Sequence, residues 1–129
     1  MAEVILKEVT KDFGKSTVIN DVSIKINEGD FCVIVGPSGC GKSTLLRIIA
    51  GLEIPTYGSI IINSKDVTTV DPANRGIGMV FQNYALYPHM TVEENMSFGL
   101  RMNNAPKTKI NKKVGEAAKI LQLTELMKR

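Results

Sequence analysis

The feature that most constrains the fold of this chain is the glycine-rich segment 36–44, GPSGCGKST, which fits the pattern G-x-x-x-x-G-K-[ST]. Its glycines let successive backbone N–H groups turn inward, because no Cβ stands in the way, and such amides form a nest for phosphate oxygens. Lys42 is placed to reach the β- and γ-phosphates of a nucleotide, and the Ser43 hydroxyl is an oxygen ligand of the kind that Mg²⁺ prefers. The segment therefore predicts a phosphate-binding loop.

The residues on either side of this loop predict a strand before it and a helix after it. Residues 31–35 are a continuous apolar run that ends at Gly36, which predicts a buried parallel strand. Residues 44–50 are mostly apolar and are followed by Gly51, which predicts a short, largely buried helix with a glycine at its C-terminus. This context disfavours the simpler alternative, a glycine-rich turn with no ligand.

Composition and charge narrow the class of protein. The 129 residues are enough for one domain with a core, and 43% hydrophobic with 22% charged residues is ordinary for a soluble globular chain. No apolar run approaches the roughly 18–20 residues that span a bilayer, and the charged N-terminus is unlike a secretory signal. A net charge of +3 is too small to argue for nucleic acid by itself. Cys32 and Cys40 predict reduced thiols rather than a disulfide or a zinc site.

The beginning of the chain predicts an antiparallel β layer. Residues 2–10 are rich in Val, Ile and Leu and predict a strand, and residues 11–15 predict a turn. In residues 22–26 apolar and polar side chains alternate, which is the pattern of a half-buried strand. Residues 27–30 then turn the chain toward the phosphate-binding loop.

After the loop and its helix, the sequence predicts two more strands. Residues 59–63 predict a short strand, and the polar residues 65–75 predict a loop. Residues 77–81 predict a buried strand that ends at Gln82. An irregular segment is predicted for residues 83–90.

Two helices are predicted in the last part of the chain. Thr91 and Glu94 form a capping-box pattern, in which each side chain binds the other residue's free backbone amide, and this opens a helix that runs to about Asn103. Pro106 ends that region. Apolar residues then repeat with helical spacing along one stripe, at Ile110, Val114, Ala117 and Leu121.

The companions of a phosphate-binding loop decide its reaction, and the usual companion, an apolar strand that ends in Asp or Asp-Glu, is missing from this sequence. The other predicted apolar strands end in Asn63 and Gln82, whose neutral amides can touch Mg²⁺ or its waters but are poor general bases. Residues 111–114, NKKV, do not match the guanine-reading pattern N-K-x-D, which argues against a GTPase. A lysine cluster without interleaved aromatics indicates a solvated face rather than a nucleic-acid site. Its members are Lys107, Lys109, Lys112 and Lys113.

Two segments together carry a resemblance to a known family. Residues 36–51 resemble the Walker A segment of ABC transporter ATPases, and residues 78–95 resemble the Q-loop region of the same family. The chain looks most like the ATPase subunits of bacterial and archaeal carbohydrate importers of the maltose type, from Val4 to Arg129. The resemblance implies an α/β fold, namely an incomplete P-loop NTPase core with an N-terminal antiparallel β layer and the start of a helical subdomain.

The resemblance implies roles in a nucleotide site, with ATP and Mg²⁺ as cofactors. Phe13 falls where the family has an aromatic ring that stacks on adenine, although packing of this ring under a turn is an alternative. Ser43 and Gln82 would contact Mg²⁺, and Gln82 would also contact the attacking water and sense the γ-phosphate. The residues implied to bind the nucleotide are Phe13, Ser38, Gly39, Cys40, Gly41, Lys42, Ser43 and Thr44.

The resemblance also implies a membrane partner. Residues 83–90 would face transmembrane permease subunits through Tyr84, Tyr87, Pro88 and His89, since exposed aromatics beside a proline suit an interface. Core packing of Tyr84 or Tyr87 is the alternative. His89 precedes the place of the family's switch histidine, and no catalytic role is assigned to it. The parent protein would be a homodimer, cytoplasmic and peripheral on the inner face of the cell membrane, with no direct nucleic-acid contact.

The departure from the family matters as much as the match. The signature sequence Leu-Ser-Gly-Gly-Gln, Walker B, the catalytic glutamate, the D-loop and the switch histidine would follow Arg129, and this sequence does not contain them. We expect a single shortened ATPase domain, with the β layer and P-loop core in residues 1–82 and the Q-loop and start of the helical subdomain in residues 83–129. With no catalytic residue of its own, such a chain would bind nucleotide at best without hydrolysing it. It would also expose unpaired strand edges and apolar faces.

The expected function is the ATP-binding part of an ABC importer ATPase, which couples MgATP binding and hydrolysis to the uptake of a solute, by resemblance a sugar. Three alternatives stay open. One is a non-transport ABC ATPase that acts on nucleic acid or ribosomes, against which the segment 84–95 argues. Another is a small P-loop kinase, whose arginine-bearing lid has only Arg75 and Arg101 as mid-chain candidates. The third is a catalytically inactive nucleotide-binding module.

Overall fold

The computed structural model describes residues 2–83 and 86–129, and these form two compact units, residues 2–79 and residues 80–129. None of the helices in the described ranges is both long and apolar enough to cross a membrane.

The first unit is built on a four-stranded antiparallel sheet in the order β2-β1-β3-β4. Its strands are β1 Val4–Phe13, β2 Ser16–Ile26, β3 Tyr57–Ile62 and β4 Lys65–Asp66. The predicted antiparallel β layer is confirmed, but β1 and β2 are longer than predicted. The turn predicted over residues 11–15 shrinks to Gly14 and Lys15, with Gly14 at a positive φ of 62°.

The core of this unit lies between the sheet and a single helix, α1, which spans Lys42–Ala50. Leu6 of β1 lies opposite Ile60 of β3 in the ladder, and both are almost completely buried. Leu45 and Ile48, one turn apart on α1, belong to the same apolar cluster. Burial of this cluster removes apolar surface from water and holds α1, the helix that follows the phosphate-binding loop, against the sheet.

One glycine outside the loop is required by close packing of the strands. Gly58, at the start of β3, has a φ of 88°, and a Cβ there would collide with the backbone carbonyl oxygen of Glu8 on β1. The ladder between β1 and β3 is irregular at this point, between Lys7 and Thr10. Glycine therefore lets the two backbones approach where the register shifts.

Two predicted buried strands are wrong. Residues 31–35 and 77–81 belong to no strand, and Phe31 and Val35 are 93% and 83% exposed. A parallel strand needs a neighbour that satisfies its backbone groups, and no described residue pairs with either segment. The expectation that this chain exposes apolar faces is confirmed by the same side chains.

The second unit contains two helices, α2 Val92–Met102 and α3 Lys107–Ile120, with a short 3-10 turn at Thr124–Leu126. Both helices match the predictions, and the capping box is present: Thr91 Oγ1 accepts from Glu94 N, and the Glu94 carboxylate accepts from Thr91 N. The end of the chain packs against the start of α2, because Val92 N donates to the carbonyl oxygen of Arg129 at 3.0 Å.

The first unit also has a 3-10 turn, Pro72–Asn74, within the predicted loop.

Candidate nucleotide site

The predicted phosphate-binding loop runs directly into α1, as the motif requires. Gly39 and Gly41 have φ angles of 82° and 94°, in the left-handed region that glycine adopts without strain. A Cβ at Gly41 would come within 2.8 Å of the carbonyl oxygen of Val18. Gly41 is thus required both for the bend into the helix and for the close approach of the loop to β2.

The side chain of Lys42 folds back across the loop. Its Nζ donates to the carbonyl oxygens of Gly36 at 2.8 Å and Pro37 at 2.6 Å, and lies 3.7 Å from the Cys40 Sγ. These partners are two neutral carbonyls and a weak sulfur acceptor, with no carboxylate among them. The ammonium is therefore centred in the loop, and no carboxylate among the described residues pairs with the charge that phosphate oxygens can share.

The N-terminus of α1 suits an anion. None of the side chains that the structure describes caps it, and its first turn holds no acidic residue, so its free N–H groups and the positive end of the helix dipole are available to an anion. The Ser43 side chain lies in this first turn, at an exposed position. Mg²⁺ is commonly held by one or two protein oxygens together with substrate phosphates, and this donor set fits that mode.

A cleft of about 300 Å³ opens beside the loop, between β2 and the start of α1. Val18 and Lys42 both line it, together with Ile34 and Leu45. Val18 was missed by the sequence analysis, because nothing in its own neighbourhood marks it. The one signal that points to it is indirect, namely the need for glycine at Gly41, whose Cβ would meet the Val18 backbone.

Phe13 ends β1 and is paired with Ser16 across the hairpin. Its ring is 48% exposed, with the Lys11 Nζ 4.9 Å from the ring centroid. An exposed ring is available for stacking on a base, and the adenine role of Phe13 stays a prediction.

The predicted site residues outside Phe13 and the loop 36–44 fall in the second unit. Gln82 is exposed, and its contact with Mg²⁺ stays a prediction. Tyr84 lies outside the described residues. Tyr87, Pro88 and His89 are exposed, and the Tyr87 ring lies 6.1 Å from His89 between ring centroids.

An apolar groove of about 690 Å³ lies beside Tyr87 and Pro88. Phe98 of α2 forms part of its wall, with its ring centroid 4.6 Å from that of Tyr87. Further lining residues are Leu86, Met90, Met96, Leu121 and Leu123. Two of the side chains predicted to meet a partner, Tyr87 and Pro88, therefore border an apolar concavity within the second unit.

Asn95 holds the segment beside this groove and was not predicted. Its Oδ1 accepts from Tyr87 N at 2.7 Å, and its Nδ2 lies within hydrogen-bond distance of the carbonyl oxygens of Tyr87 and Thr91, at 3.1 and 3.0 Å. One side chain thus fixes the backbone that carries Pro88 and His89. No local pattern points to this role, since Asn95 occupies an ordinary position in the predicted helix.

The role of Arg75 was likewise not predicted from the sequence, where it was named only as a mid-chain arginine outside any lid-like segment. It is only 5% exposed, and its guanidinium donates to the carbonyl oxygens of Ile48 and Ile49 at the end of α1, both at 3.0 Å. It also donates to those of Val70 and Thr68. Burial lowers the pKa of Arg75, yet a guanidinium stays charged at neutral pH. Arg75 therefore caps the helix of the phosphate-binding loop rather than serving a lid.

Residues 19–129 match the model of the ABC transporter family. The chain belongs to this family. Membership implies nucleotide binding, and it agrees with a glycine-rich loop that opens a helix with a free N-terminus.

Two named relatives in this family cover the whole chain. It is 55% identical over 129 residues to the maltose/maltodextrin import ATP-binding protein MalK of Escherichia coli strain K12, and spans 35% of that protein. The same comparison with MalK of Klebsiella aerogenes also gives 55% identity, over 44% of that protein. The chain thus spans less than half the length of either relative.

Solved structures of the family confirm the fold class. One is the dimeric structure of an ATP-binding cassette in a post-hydrolysis state, bound to ADP and Pi. The match covers 98% of this chain and 60% of the chain in that structure, with a TM-score of 0.83 and 32% sequence identity. A nucleotide-free ATP-binding cassette from an ABC transporter matches all of this chain and 57% of its own, with a TM-score of 0.78 and 30% identity. The α/β core is therefore an ABC ATPase core, present in part.

Proposed function

We propose that this chain is the nucleotide-binding part of the energising ATPase of an importer, and that the imported solute is a sugar. The observation that carries the proposal is the Lys42 ammonium, centred in the loop by the carbonyl oxygens of Gly36 and Pro37, at the uncapped N-terminus of α1. The 55% identity to an import ATP-binding protein supports the importer role over a kinase or a non-transport ATPase.

In this proposal MgATP spans the first unit from the hairpin end to the helix. The adenine stacks on Phe13, and residues Ser38 to Thr44 surround the phosphates. Ser43 supplies a ligand to Mg²⁺, and Gln82 contacts the metal or its water. The ion neutralises phosphate charge when it is bound, while Lys42 and the amides of α1 hold the phosphate oxygens.

The second unit would pass the nucleotide state to the membrane. We propose that Tyr87, Pro88 and His89, with Tyr84 outside the described residues, meet transmembrane permease subunits, and that the apolar groove beside them receives an apolar segment of that partner. Asn95 would keep this surface in shape through its bonds to the loop backbone. The parent protein would act as a homodimer on the cytoplasmic face of the membrane.

Calorimetric titration of the chain with MgATP tests the proposal. We expect saturable binding, which falls by at least about a hundredfold in Lys42→Ala because the charge that faces the phosphates is lost. Lys15→Ala is the matched control, since it removes the same charge from an exposed turn in the same unit. Absence of binding by the unaltered chain, or equal binding by Lys42→Ala, would refute the proposal.

A further inference from the structure

Lys11 is a lysine with three partners of different kinds at one place. Its Nζ donates to the carbonyl oxygen of Ile54 at 2.7 Å and pairs with Glu53 Oε1 at 2.6 Å. The same Nζ lies 4.9 Å from the centroid of the Phe13 ring, within the range of a cation–π contact. Because only 13% of the side chain is exposed, the ammonium is held in place and not free in solvent.

This arrangement makes the two faces of the Phe13 ring unequal. One face carries the Lys11 ammonium, which is attracted to the negative π-surface of the ring. The ring is nevertheless 48% exposed, so much of its remaining surface is open to solvent. A flat ligand that stacks on Phe13 therefore has only the face away from Lys11 available to it.

The sheet sets the distance between this ring and the phosphate-binding loop. Phe13 pairs with Ser16 at the start of β2, and Val18, two residues further along β2, abuts Gly41 of the loop. Two residues of an extended strand span about 7 Å. The positions where the ring and the loop meet β2 are thus separated along the strand by a length similar to that of the sugar between a base and its phosphates.

We propose that Lys11 is a positioning residue that fixes the Phe13 ring for stacking by the base of a purine nucleotide. The inference rests on the proposed function, because it takes the Phe13 ring as the base platform. Lys11 holds one face of the ring and leaves the other for the base, so the base stacks on a ring that is already oriented. Its loss weakens the recognition of the nucleoside and leaves the recognition of the phosphates as it was.

The backbone around Lys11 is also held by hydrogen bonds that do not involve its side chain. Asp12 N donates to Thr56 Oγ1 at 2.9 Å, and Thr56 N donates to the carbonyl oxygen of Thr10 at 2.8 Å. These bonds join β1 to the segment after α1 on both sides of Lys11. Substitution of the side chain is therefore expected to free the ring without releasing the strand.

The decisive experiment compares two probes, MgATP and magnesium tripolyphosphate, which has phosphates but no base. We expect Lys11→Met to raise the Kd for MgATP about threefold to tenfold, the range of a partly desolvated cation–π contact, and to change the Kd for tripolyphosphate by less than about twofold. Lys11→Arg, which keeps a cation over the ring, should restore most of the MgATP affinity. Lys15→Met, the control for charge, should alter the two dissociation constants by the same small factor.

Equal weakening for both probes in Lys11→Met would show a general charge or folding effect and would overturn the inference, as would unchanged MgATP affinity. The outcome is separate from that of the proposed function, which is tested by MgATP binding to the unaltered chain and by its loss in Lys42→Ala, not by any variant of Lys11.

A second measurement decides the orientation of the ring without any nucleotide. The sequence has no Trp, so Phe13→Trp places a single indole at the site. Adding Lys11→Met to this variant should increase quenching of the indole fluorescence by acrylamide, because one face of the ring is uncovered, whereas adding Lys15→Met should not. Identical quenching with and without Lys11→Met would overturn the inference even if the chain binds no nucleotide.

Discussion

Two segments of the first unit are both rich in apolar residues, but one is buried and the other is exposed. In β3, Ile60 and Ile62 are 0% and 4% exposed. In the segment 31–35, Phe31 and Val35 are 93% and 83% exposed. Both runs would be assigned to buried strands by composition, so composition does not explain the difference.

The difference lies in the neighbours. β3 has β1 on one edge and β4 on the other, and the Leu45–Ile48 side of α1 joins the apolar cluster that covers its buried face. No described residue forms a ladder with 31–35. An apolar run thus indicates that a segment would be stabilised by burial. The burial itself requires a partner that pairs its backbone and covers its side chains.

The sharpest test of this comparison truncates one side chain in each segment. We expect Ile60→Ala to lower the free energy of unfolding by about 2–5 kcal/mol, because it leaves a cavity in the packed core. Val35→Ala, at an exposed position, should change it by less than about 0.5 kcal/mol. Urea unfolding followed by far-UV circular dichroism gives both values. A cost for Val35→Ala as large as that for Ile60→Ala would mean that 31–35 is buried in solution, for instance against another copy.

Substitution of Arg75 tests whether distant partners also matter for a buried polar group. We expect Arg75→Met to cost about 2–3 kcal/mol, since the carbonyl oxygens of Ile48 and Ile49 then lose a charged donor in a buried place. Arg47→Met is the control, because Arg47 is an arginine in the last turn of α1 whose side chain is exposed. Gly51→Ala should also destabilise the fold, as its Cβ would collide with the Arg75 guanidinium. A cost for Arg75→Met no larger than that for Arg47→Met would contradict this view of α1.

What the sequence predicted well is local. The loop 36–44, the helix after it and the capping box at Thr91 depend on residues within a few positions of one another, and the structure contains all three. The antiparallel β layer also follows from short-range alternation and a tight turn. Local patterns sufficed because the partners of each group lie nearby in the chain.

What the sequence did not predict is long-range. Lys11 reaches Ile54, and Arg75 reaches Ile48, across 43 and 27 positions of the chain. No sequence pattern near either residue points to its distant partner, so a lysine in a predicted turn and an arginine in a predicted loop look like ordinary surface charges. The strands predicted at 31–35 and 77–81 failed for the converse reason, since their apolar pattern was read without knowledge of a pairing partner.

The smallest expected effect tests the local side of this contrast, at the start of α2. We expect Thr91→Ala to lower the free energy of unfolding of its unit by about 1 kcal/mol, because the hydroxyl that accepts from Glu94 N at 3.2 Å is lost. Thr91→Ser should keep most of it. Thr108→Ala, at an exposed site in the first turn of α3, is the control and should be near neutral.

The stability that this cap contributes is expected to depend on pH. Hydrogen bonds from the backbone N–H and the hydroxyl of Thr91 hold the pKa of Glu94 below its ordinary value. A carboxyl whose pKa is lower in the folded chain contributes stability above its unfolded pKa, about 4.3, and loses it as the pH falls through the folded value. The difference between the unaltered chain and Thr91→Ala should therefore be full at neutral pH and shrink in acid. A difference that stays constant down through this range would mean that the Thr91 hydroxyl does not interact with the Glu94 carboxylate, and that its bond with Glu94 N accounts for the whole effect.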